Sequence, residues 1–239
     1  SEETGSDVAT DLIKKTAKQH DVTLNLEPGR PADGLVVWRK GSATALVEVK
    51  GKAAHAGVAP ELGRNAAMEA AHQILQLGKL GDEAKKTTIN FTVLKAGDRT
   101  NVIPDQATAK ADVRAAVPEE FDRIEKDLAR VSQDKLIADT EVKTSLQRGL
   151  PPMPQTAESD RLMAMAQGIY GEIGRKLTEE GSGGAADASL SAGVGTPTLD
   201  GFGIVGGNIH TPEEYAEVAS VAPRIYLLSR MIMELAKPR

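Results

Sequence analysis

Four segments in the middle of the chain alternate hydrophobic and polar residues with a period of two, which predicts strands that bury one face. These segments are residues 44–50, 88–93, 107–114 and 142–146. Between them, residues 65–77 and 118–133 place their hydrophobic side chains three and four positions apart, as amphipathic helices do. The resulting order, β-α-β-β-α-β, is the ferredoxin-like arrangement, and we place this unit at residues 41–149. We expect its helices to cover one face of the sheet and to leave the other face polar.

The segments on either side of this unit also mix helices and strands. The predicted elements are helices at residues 7–19 and 157–170, a strand at 22–26, a short helix around Asp187, and a final helix that Ser220 caps and that ends at Leu235. Because strand and helix alternate here, we interpret residues 1–40 and 150–239 as two segments of one α/β domain. The predicted fold class is therefore α/β, with an inserted ferredoxin-like unit.

Composition narrows the class of protein. The 239 residues carry 29 basic and 34 acidic side chains, and 40% of the residues are hydrophobic, which is ordinary for a globular protein. A net charge of −5 without a basic cluster argues against nucleic acid or an anionic membrane as the main partner. No hydrophobic run approaches the ~20 residues of a membrane-spanning helix. The absence of cysteine excludes disulfides, thiolate metal sites and cysteine nucleophiles.

The first residues, Ser1-Glu2-Glu3, have neither the basic nor the hydrophobic region of a signal peptide, and no Met precedes them. We interpret the chain as starting within a longer protein.

In the adjacent pair Glu2-Glu3, one carboxylate can bind a metal while the other acts as a base, a division that suits metal-assisted hydrolysis. Glu27 is a third candidate because Pro28 holds it at a strand end. On spacing alone, a solvated acidic pair is the commoner alternative.

Two histidines stand among small residues that would let a ligand approach closely. His55 follows the first strand of the inserted unit, and His210 follows the Gly206-Gly207 pair. For a lone histidine on a glycine-rich loop, a solvated side chain is the commoner alternative to a functional one. The Gly181–Gly184 stretch lacks the glycine spacing of phosphate-binding motifs, so it indicates close approach to a ligand or simply a turn. Arg114 is either a solvated arginine or a clamp for a carboxylate.

Together these pieces resemble the M20 family of dinuclear zinc peptidases and amidohydrolases, and specifically its glutamate carboxypeptidase members. They follow the family's order along almost the whole chain. The matching motifs are Glu2-Glu3-Thr4-Gly5-Ser6, Glu27-Pro28, Gly51-Lys52-Ala53-Ala54-His55-Ala56-Gly57-Val58-Ala59-Pro60, Gly97 with Asn101-Val102-Ile103-Pro104, Ala111-Asp112-Val113-Arg114, Gly183-Gly184-Ala185-Ala186-Asp187 and His210.

The resemblance implies a role for each matching residue. Glu2 resembles the general base that deprotonates the bridging water. Glu3 and His210 resemble ligands of one zinc ion, and Glu27 a ligand of the other. His55 resembles the lid histidine that reaches into the site of the partner protomer and stabilises the tetrahedral oxyanion.

The substrate contacts implied by the resemblance are Asn101, Arg114, Arg148 and the backbone near Gly184, with Arg114 holding the terminal carboxylate. The inserted unit, residues 41–149, resembles the lid that carries the homodimer contact. Residues 1–40 and 150–239 resemble segments of the α/β catalytic domain of a zinc peptidase.

The chain also departs from the family pattern. The family's His-x-Asp motif and bridging Asp, which precede the Glu pair, have no counterpart here, so we expect a zinc hydrolase cut at its amino end. Ser1 stands where an Asp is usual, and Ala186 where a Thr is typical. The segment after Glu27-Pro28 lacks obvious matches to the polar substrate contacts of glutamate-specific members.

The resemblance implies a metallopeptidase with two zinc ions that hydrolyses an amide next to a free carboxylate and releases a C-terminal glutamate-like amino acid. Its substrate would be a small peptide or an N-acyl amino acid. The alternatives are another M20 hydrolase, an aminoacylase or aminotripeptidase, or an inactive fragment that serves only as a dimerisation module.

Overall fold

A computed structural model describes residues 8–238. The helices are α1 (Thr10–Ala17), α2 (Ala66–Leu77), α3 (Pro118–Val131), α4 (Ala157–Gly171), α5 (Ala188–Ala192) and α6 (Val221–Leu235). The strands are β1 (Thr23–Leu24), β2 (Gly34–Arg39), β3 (Gly41–Lys50), β4 (Ala54–His55), β5 (Thr88–Ala96), β6 (Val102–Ile103), β7 (Gln106–Ala115), β8 (Glu141–Arg148), β9 (Thr178–Ser182), β10 (Thr198–Leu199), β11 (Gly206–Gly207) and β12 (Tyr215–Ala216). Residues 41–149 form one compact unit, and residues 8–40 with 150–238 form the other. After the roles that the family resemblance implies for them, we call the first the lid unit and the second the catalytic unit.

The lid unit is an antiparallel four-stranded sheet with the strand order β5-β7-β3-β8. Alternate residues of β3 and β7 are alanine or valine and are buried, because α2 and α3 pack on that side. The small alanine side chains let the helices lie close to the sheet, and Phe121, Ile124 and Leu128 of α3 fill the remaining space. The predicted order of strands and helices is confirmed, and β3 and β5 extend beyond their predicted ends.

The opposite face of this sheet is polar. On β7 it presents Thr108, Lys110, Asp112 and Arg114, all of them at least partly exposed. The register pairs Arg114 with Ser42 at one end of β3, and Gln106 with Lys50 at the other. This polar face therefore has two chemically distinct ends.

The catalytic unit is built around short parallel pairs, β1 with β10 and β2 with β9. Its core consists of Leu35 and Val37 of β2 packed against α4 and α6. Neither β2 nor β9 is among the predicted strands. The segment Leu35-Val36-Val37 is buried on both faces and so shows no alternation, whereas β9 includes glycine and acidic residues that are typical of loops.

The structure differs from the sequence prediction at the start of α6. Ser220 does precede α6, but its hydroxyl does not cap the helix. Instead Ser220 Oγ donates to the Glu217 carbonyl and accepts a hydrogen bond from the Val205 backbone, so the predicted cap is wrong. Asp7, the predicted start of the first helix, lies outside the described residues. None of the helices within residues 8–238 is both long and hydrophobic enough to cross a membrane.

A buried carboxylate in the lid unit makes its stability depend on pH. Glu120 of α3 accepts hydrogen bonds from Arg123 and from the Thr87 hydroxyl, and lies 3.2 Å from Lys85 Nζ. The Arg123 guanidinium, with smaller contributions from Thr87 and Lys85, lowers the pKa of Glu120 from 4.5 to about 2. A lowered pKa in the folded state stabilises the fold above pH 4.5, and this contribution is lost as the pH falls towards 2.

We therefore expect Glu120→Gln to lower the free energy of unfolding by about 2–3 kcal/mol at pH 7, with the difference from the unmodified chain shrinking between about pH 4.5 and pH 2. Urea denaturation followed by circular dichroism at several pH values measures this. Glu119→Gln, on the same turn but exposed, should change stability by less than about 0.5 kcal/mol. A Glu120→Gln deficit that is as large at about pH 2.5 as at pH 7 would contradict the interpretation.

Candidate active site

Glu27 lies on an extended segment that is hydrogen-bonded to the segment leading to His210. The Phe202 and Gly203 amides donate to the carbonyls of Asn25 and Glu27, and the Gly29 amide donates to Ile204. Gly203 permits this close approach, since a Cβ there would stand 2.7 Å from the Glu27 carbonyl oxygen. The ladder continues with the Gly206 amide donating to Gly29, so Glu27 and the start of the His210 loop lie on adjacent chain segments.

His210 stands on a tight loop with a constrained backbone. Asn208 and His210 both have positive φ angles, 54° and 66°, a conformation that costs most side chains energy and that Asn and His tolerate best. The His210 amide donates to Glu214 Oε2 at 3.1 Å, and the Thr211 hydroxyl donates to the Asn208 carbonyl at 2.8 Å. The loop holds an exposed imidazole in a fixed backbone position.

These residues suit a zinc site in their chemistry. A carboxylate oxygen and an imidazole nitrogen are donors that zinc prefers, and Glu27 and His210 supply one of each. Glu2 and Glu3, the other predicted contributors, lie outside the described residues. Within residues 8–238, no three His, Asp or Glu side chains are grouped so as to hold a metal ion.

The glycine-rich loop beside Glu27's segment is held by a buried ion pair. Arg39, at the end of β2, and Asp200, after β10, are 4% and 0% exposed, and Arg39 Nε donates to Asp200 Oδ2. Arg39 Nη1 also donates to the Gly184 carbonyl at 3.0 Å and to Ser182 Oγ at 3.2 Å. Asn25 donates to the other oxygen of Asp200. Arg39 thus fixes the backbone of Gly184, a predicted substrate contact.

His55 has a defined hydrogen-bonding state. Its Nδ1 accepts hydrogen bonds from the Gly57 and Val58 amides, both at 3.2 Å. A nitrogen that accepts cannot carry the proton, so in the neutral ring Nε2 carries it and is a donor. The ring is exposed, and its Nε2–H is therefore available to a ligand.

Asn101 lies next to His55. The strands β4 and β6 pair His55 with Val102, and the Ala56 amide donates to the Asn101 carbonyl at 2.9 Å. The structure therefore brings these two predicted residues together, beyond the end of the sheet where Lys50 pairs with Gln106.

The two predicted arginines lie at the other end of the same sheet, where Ser42 pairs with Arg114 and Ala43 with Arg148. Arg114 Nε donates to both oxygens of Asp112, at 3.1 and 2.9 Å. Arg148 Nη2 donates to Asp122 and Glu125 of α3, at 2.7 and 2.8 Å, and these contacts raise the pKa of Arg148.

The sequence patterns missed Arg39 and Asp200. The only signal in the sequence was a charged residue within a hydrophobic or turn segment. The pairing itself could not be predicted, because Arg39 and Asp200 lie 161 residues apart in the chain. The donor state of His55 was also missed, because it depends on the path of the backbone that follows the histidine.

Residues 37–140 match the family model of the peptidase dimerisation domain. Carboxypeptidase G2 from Pseudomonas sp. (strain RS-16) is 38% identical over 237 residues, a match that covers 98% of this chain and 57% of that protein. An uncharacterized protein, YqjE, from Bacillus subtilis (strain 168) is 28% identical over 207 residues, which cover 85% of this chain and 54% of that protein. The chain thus spans little more than half the length of these relatives.

Among solved structures, aminopeptidase PepT from Bacillus cereus superposes with a TM-score of 0.78 at 26% identity, over 96% of this chain and 63% of that one. The α/β fold agrees with that of this solved structure. The chain belongs to the M20 peptidase family and carries that family's dimerisation domain.

Proposed function

We propose that the protein containing this chain is a zinc-dependent metallopeptidase that hydrolyses an amide bond next to a free carboxylate and releases a C-terminal glutamate-like amino acid. The observation that carries the proposal is the hydrogen-bonded ladder that joins the Glu27 segment to the one leading to His210. The identity to carboxypeptidase G2 supports it.

In this proposal Glu27 and His210 bind metal, each to a different zinc ion, and Glu3 joins His210 in holding its ion. Zinc supplies Lewis-acid polarisation of the scissile carbonyl and a nucleophilic water at neutral pH. Glu2 is the proposed general base. The chain's own contribution is to fix the carboxylate and the imidazole on two short, hydrogen-bonded segments, so that little reorganisation is needed when the ions bind.

His55 is proposed to stabilise the developing oxyanion. Its Nε2–H is the donor that this role requires, and the Gly57 and Val58 amides keep it in that state. Asn101, on the adjoining loop, would contact the substrate from the same side.

His55 and Arg114 cannot serve one site within one chain. Between Ser42, which pairs with Arg114, and Lys50, which precedes the His55 loop, β3 spans about 26 Å. This distance, with the loop beyond β3 added to it, is too long for the His55 and Arg114 side chains of one chain to contact the same substrate. We therefore propose a homodimer through residues 41–149, in which His55 acts in the site of the partner. The outer strands β5 and β8 form the two edges of the lid sheet and are suited to such a contact.

Arg114 is proposed to hold the substrate's free carboxylate. Asp112 engages its Nε, so the two Nη groups remain to form a forked pair of hydrogen bonds with a carboxylate. The Asp112 contact also orients the guanidinium on the polar face of the sheet. Arg148 and the Gly184 backbone stay predicted substrate contacts.

A second candidate, an aminotripeptidase, is favoured by the similarity to aminopeptidase PepT. An aminopeptidase selects a free amino group, whereas the proposed enzyme selects a free carboxylate. Hydrolysis of an N-acylated amino acid, which has no free amino group, distinguishes the two.

We predict that two inactive variants complement each other. Glu27→Ala should abolish hydrolysis of an N-acyl glutamate by the complete protein, and His55→Ala should lower kcat by roughly 10²–10³-fold. When the two variants are unfolded, mixed in equal amounts and refolded together, half of the dimers are mixed, and each mixed dimer has one intact site. Activity should return to about a quarter of the unmodified level.

The matched control is His72→Ala, a partly exposed histidine of the lid unit whose ring contacts the Asp134 carbonyl, and this variant should keep full activity. A mixture that is no more active than the two variants apart would show that His55 and Glu27 serve the same chain's site.

A further prediction concerns the proposed contact between Arg114 and the substrate's carboxylate. Arg114→Ala should lower kcat/KM by roughly 10²-fold, because a carboxylate loses its charged partner. A substrate whose carboxylate is replaced by a carboxamide should lose a similar factor with the unmodified enzyme but little more with the variant, since both changes remove the same interaction. Steady-state kinetics of the four combinations measure the coupling.

Lys110→Ala is the control, because Lys110 lies on the same face of the same strand as Arg114. It should change neither substrate's kcat/KM by more than about twofold. The contrary result is that the loss of kcat/KM for Arg114→Ala with the carboxamide substrate equals the product of the two separate losses. Arg114 would then not hold the carboxylate.

A further inference from the structure

Arg30 is a charged residue for which the family resemblance gives no role. It follows Glu27 by three residues, at the start of a tight turn in which its carbonyl accepts hydrogen bonds from the Asp33 and Gly34 amides. Pro31 restricts the backbone of Arg30 to extended conformations. The turn is fixed at its far end, because the Asp33 carboxylate accepts a hydrogen bond from Tyr170 and pairs with the buried Arg224.

The guanidinium of Arg30 is half-buried and lies among both like and opposite charges. It is within electrostatic range of the buried Arg39–Asp200 pair and of Glu27 and Glu180. Asp200 already accepts three hydrogen bonds, from Arg39, Asn25 and the Gly201 amide. Within residues 8–238, the Arg30 side chain makes neither a hydrogen bond nor an ion pair. Burial, with repulsion from Arg39, lowers the pKa of Arg30 despite the three nearby carboxylates.

A half-buried cation whose donors have no partner among residues 8–238, on a turn that follows a proposed metal ligand, is suited to an anionic ligand. We propose that Arg30 binds the side-chain carboxylate of a dicarboxylic amino acid and so makes the enzyme selective for glutamate-like residues. This inference rests on the proposed function and names the residue that selects the substrate's side chain at the same site.

Arg30 suits this role better than Arg148. Arg148 already pairs with two carboxylates on α3, which compensate its charge, so it attracts a third carboxylate less strongly. Arg30 instead belongs to the catalytic unit, where Glu27 also lies, and the Arg39 that repels it holds the Gly184 carbonyl. If Glu27 binds a metal ion, the positive charge of that ion offsets the Glu27 carboxylate, so the attraction between Glu27 and Arg30 weakens. A substrate anion would then compensate the charge of Arg30.

The test compares N-benzoyl-glutamate with N-benzoyl-glutamine, which keep the same α-carboxylate and nearly the same shape but differ in side-chain charge. The protein is expressed from its complete reading frame and loaded with zinc. We expect the unmodified enzyme to prefer the glutamate substrate. Arg30→Gln should lower kcat/KM for that substrate by roughly 30- to 100-fold and leave the glutamine substrate within about threefold. Arg30→Lys, which keeps the charge, should recover part of the preference.

Arg161→Gln, an exposed arginine on α4 that pairs with Glu158, is the matched control and should change neither substrate. Equal losses for both substrates with Arg30→Gln would overturn the inference, and so would a loss of preference in Arg148→Gln instead. Hydrolysis of both substrates at equal rates by the unmodified enzyme would refute the role of Arg30 but leave the proposed function standing. Hydrolysis of neither would refute both.

Discussion

The ion pair between Arg39 and Asp200 is the interaction on which the arrangement of the catalytic unit depends. Burying both charges costs several kcal/mol each, and the cost is offset only when every donor and acceptor finds a partner. Here the partners are parts of the candidate site itself: Asn25, two residues before Glu27, the hydroxyl of Ser182 and the carbonyl of Gly184. Satisfying this one pair therefore sets the positions of two separate loops.

A second buried arginine holds the other side of the same region. Arg224 of α6 donates to the carbonyls of Gly34 and Gly201, pairs with Asp33 and lies 6.0 Å from the centre of the Tyr170 ring. The segment that contains Glu27 is thus anchored at both ends, because Asn25 donates to Asp200 and Asp33 pairs with Arg224. Such support restricts the conformations of the side chains on this segment, and a preorganised site needs that restriction.

How much could be predicted from the sequence follows from which contacts are local. The strands and helices of the lid unit were predictable because each has one buried face, and the histidine and arginine motifs indicated which residues to examine. The strand β2 was missed because Leu35, Val36 and Val37 are all buried, so the pattern has no period. Ser220 failed as a cap because a distant backbone amide, that of Val205, competes for its hydroxyl. The hydrogen bonds of His55, and the lack of a hydrogen-bond partner for the Arg30 side chain in the part of the chain that the structure describes, depend on three-dimensional surroundings that no spacing encodes.

The lid sheet then imposes a constraint of its own. Its rigid antiparallel strands place His55 with Asn101 at one end and Arg114 with Arg148 at the other, and a hydrogen-bonded sheet cannot bend to bring the ends together. If both ends act on substrate, each must act in a different site, and a two-fold symmetric pair of sheets provides two such sites with every contact used twice. Under that condition, the length of β3 sets the distance between the residues that act in the chain's own site and those that act in the partner's site.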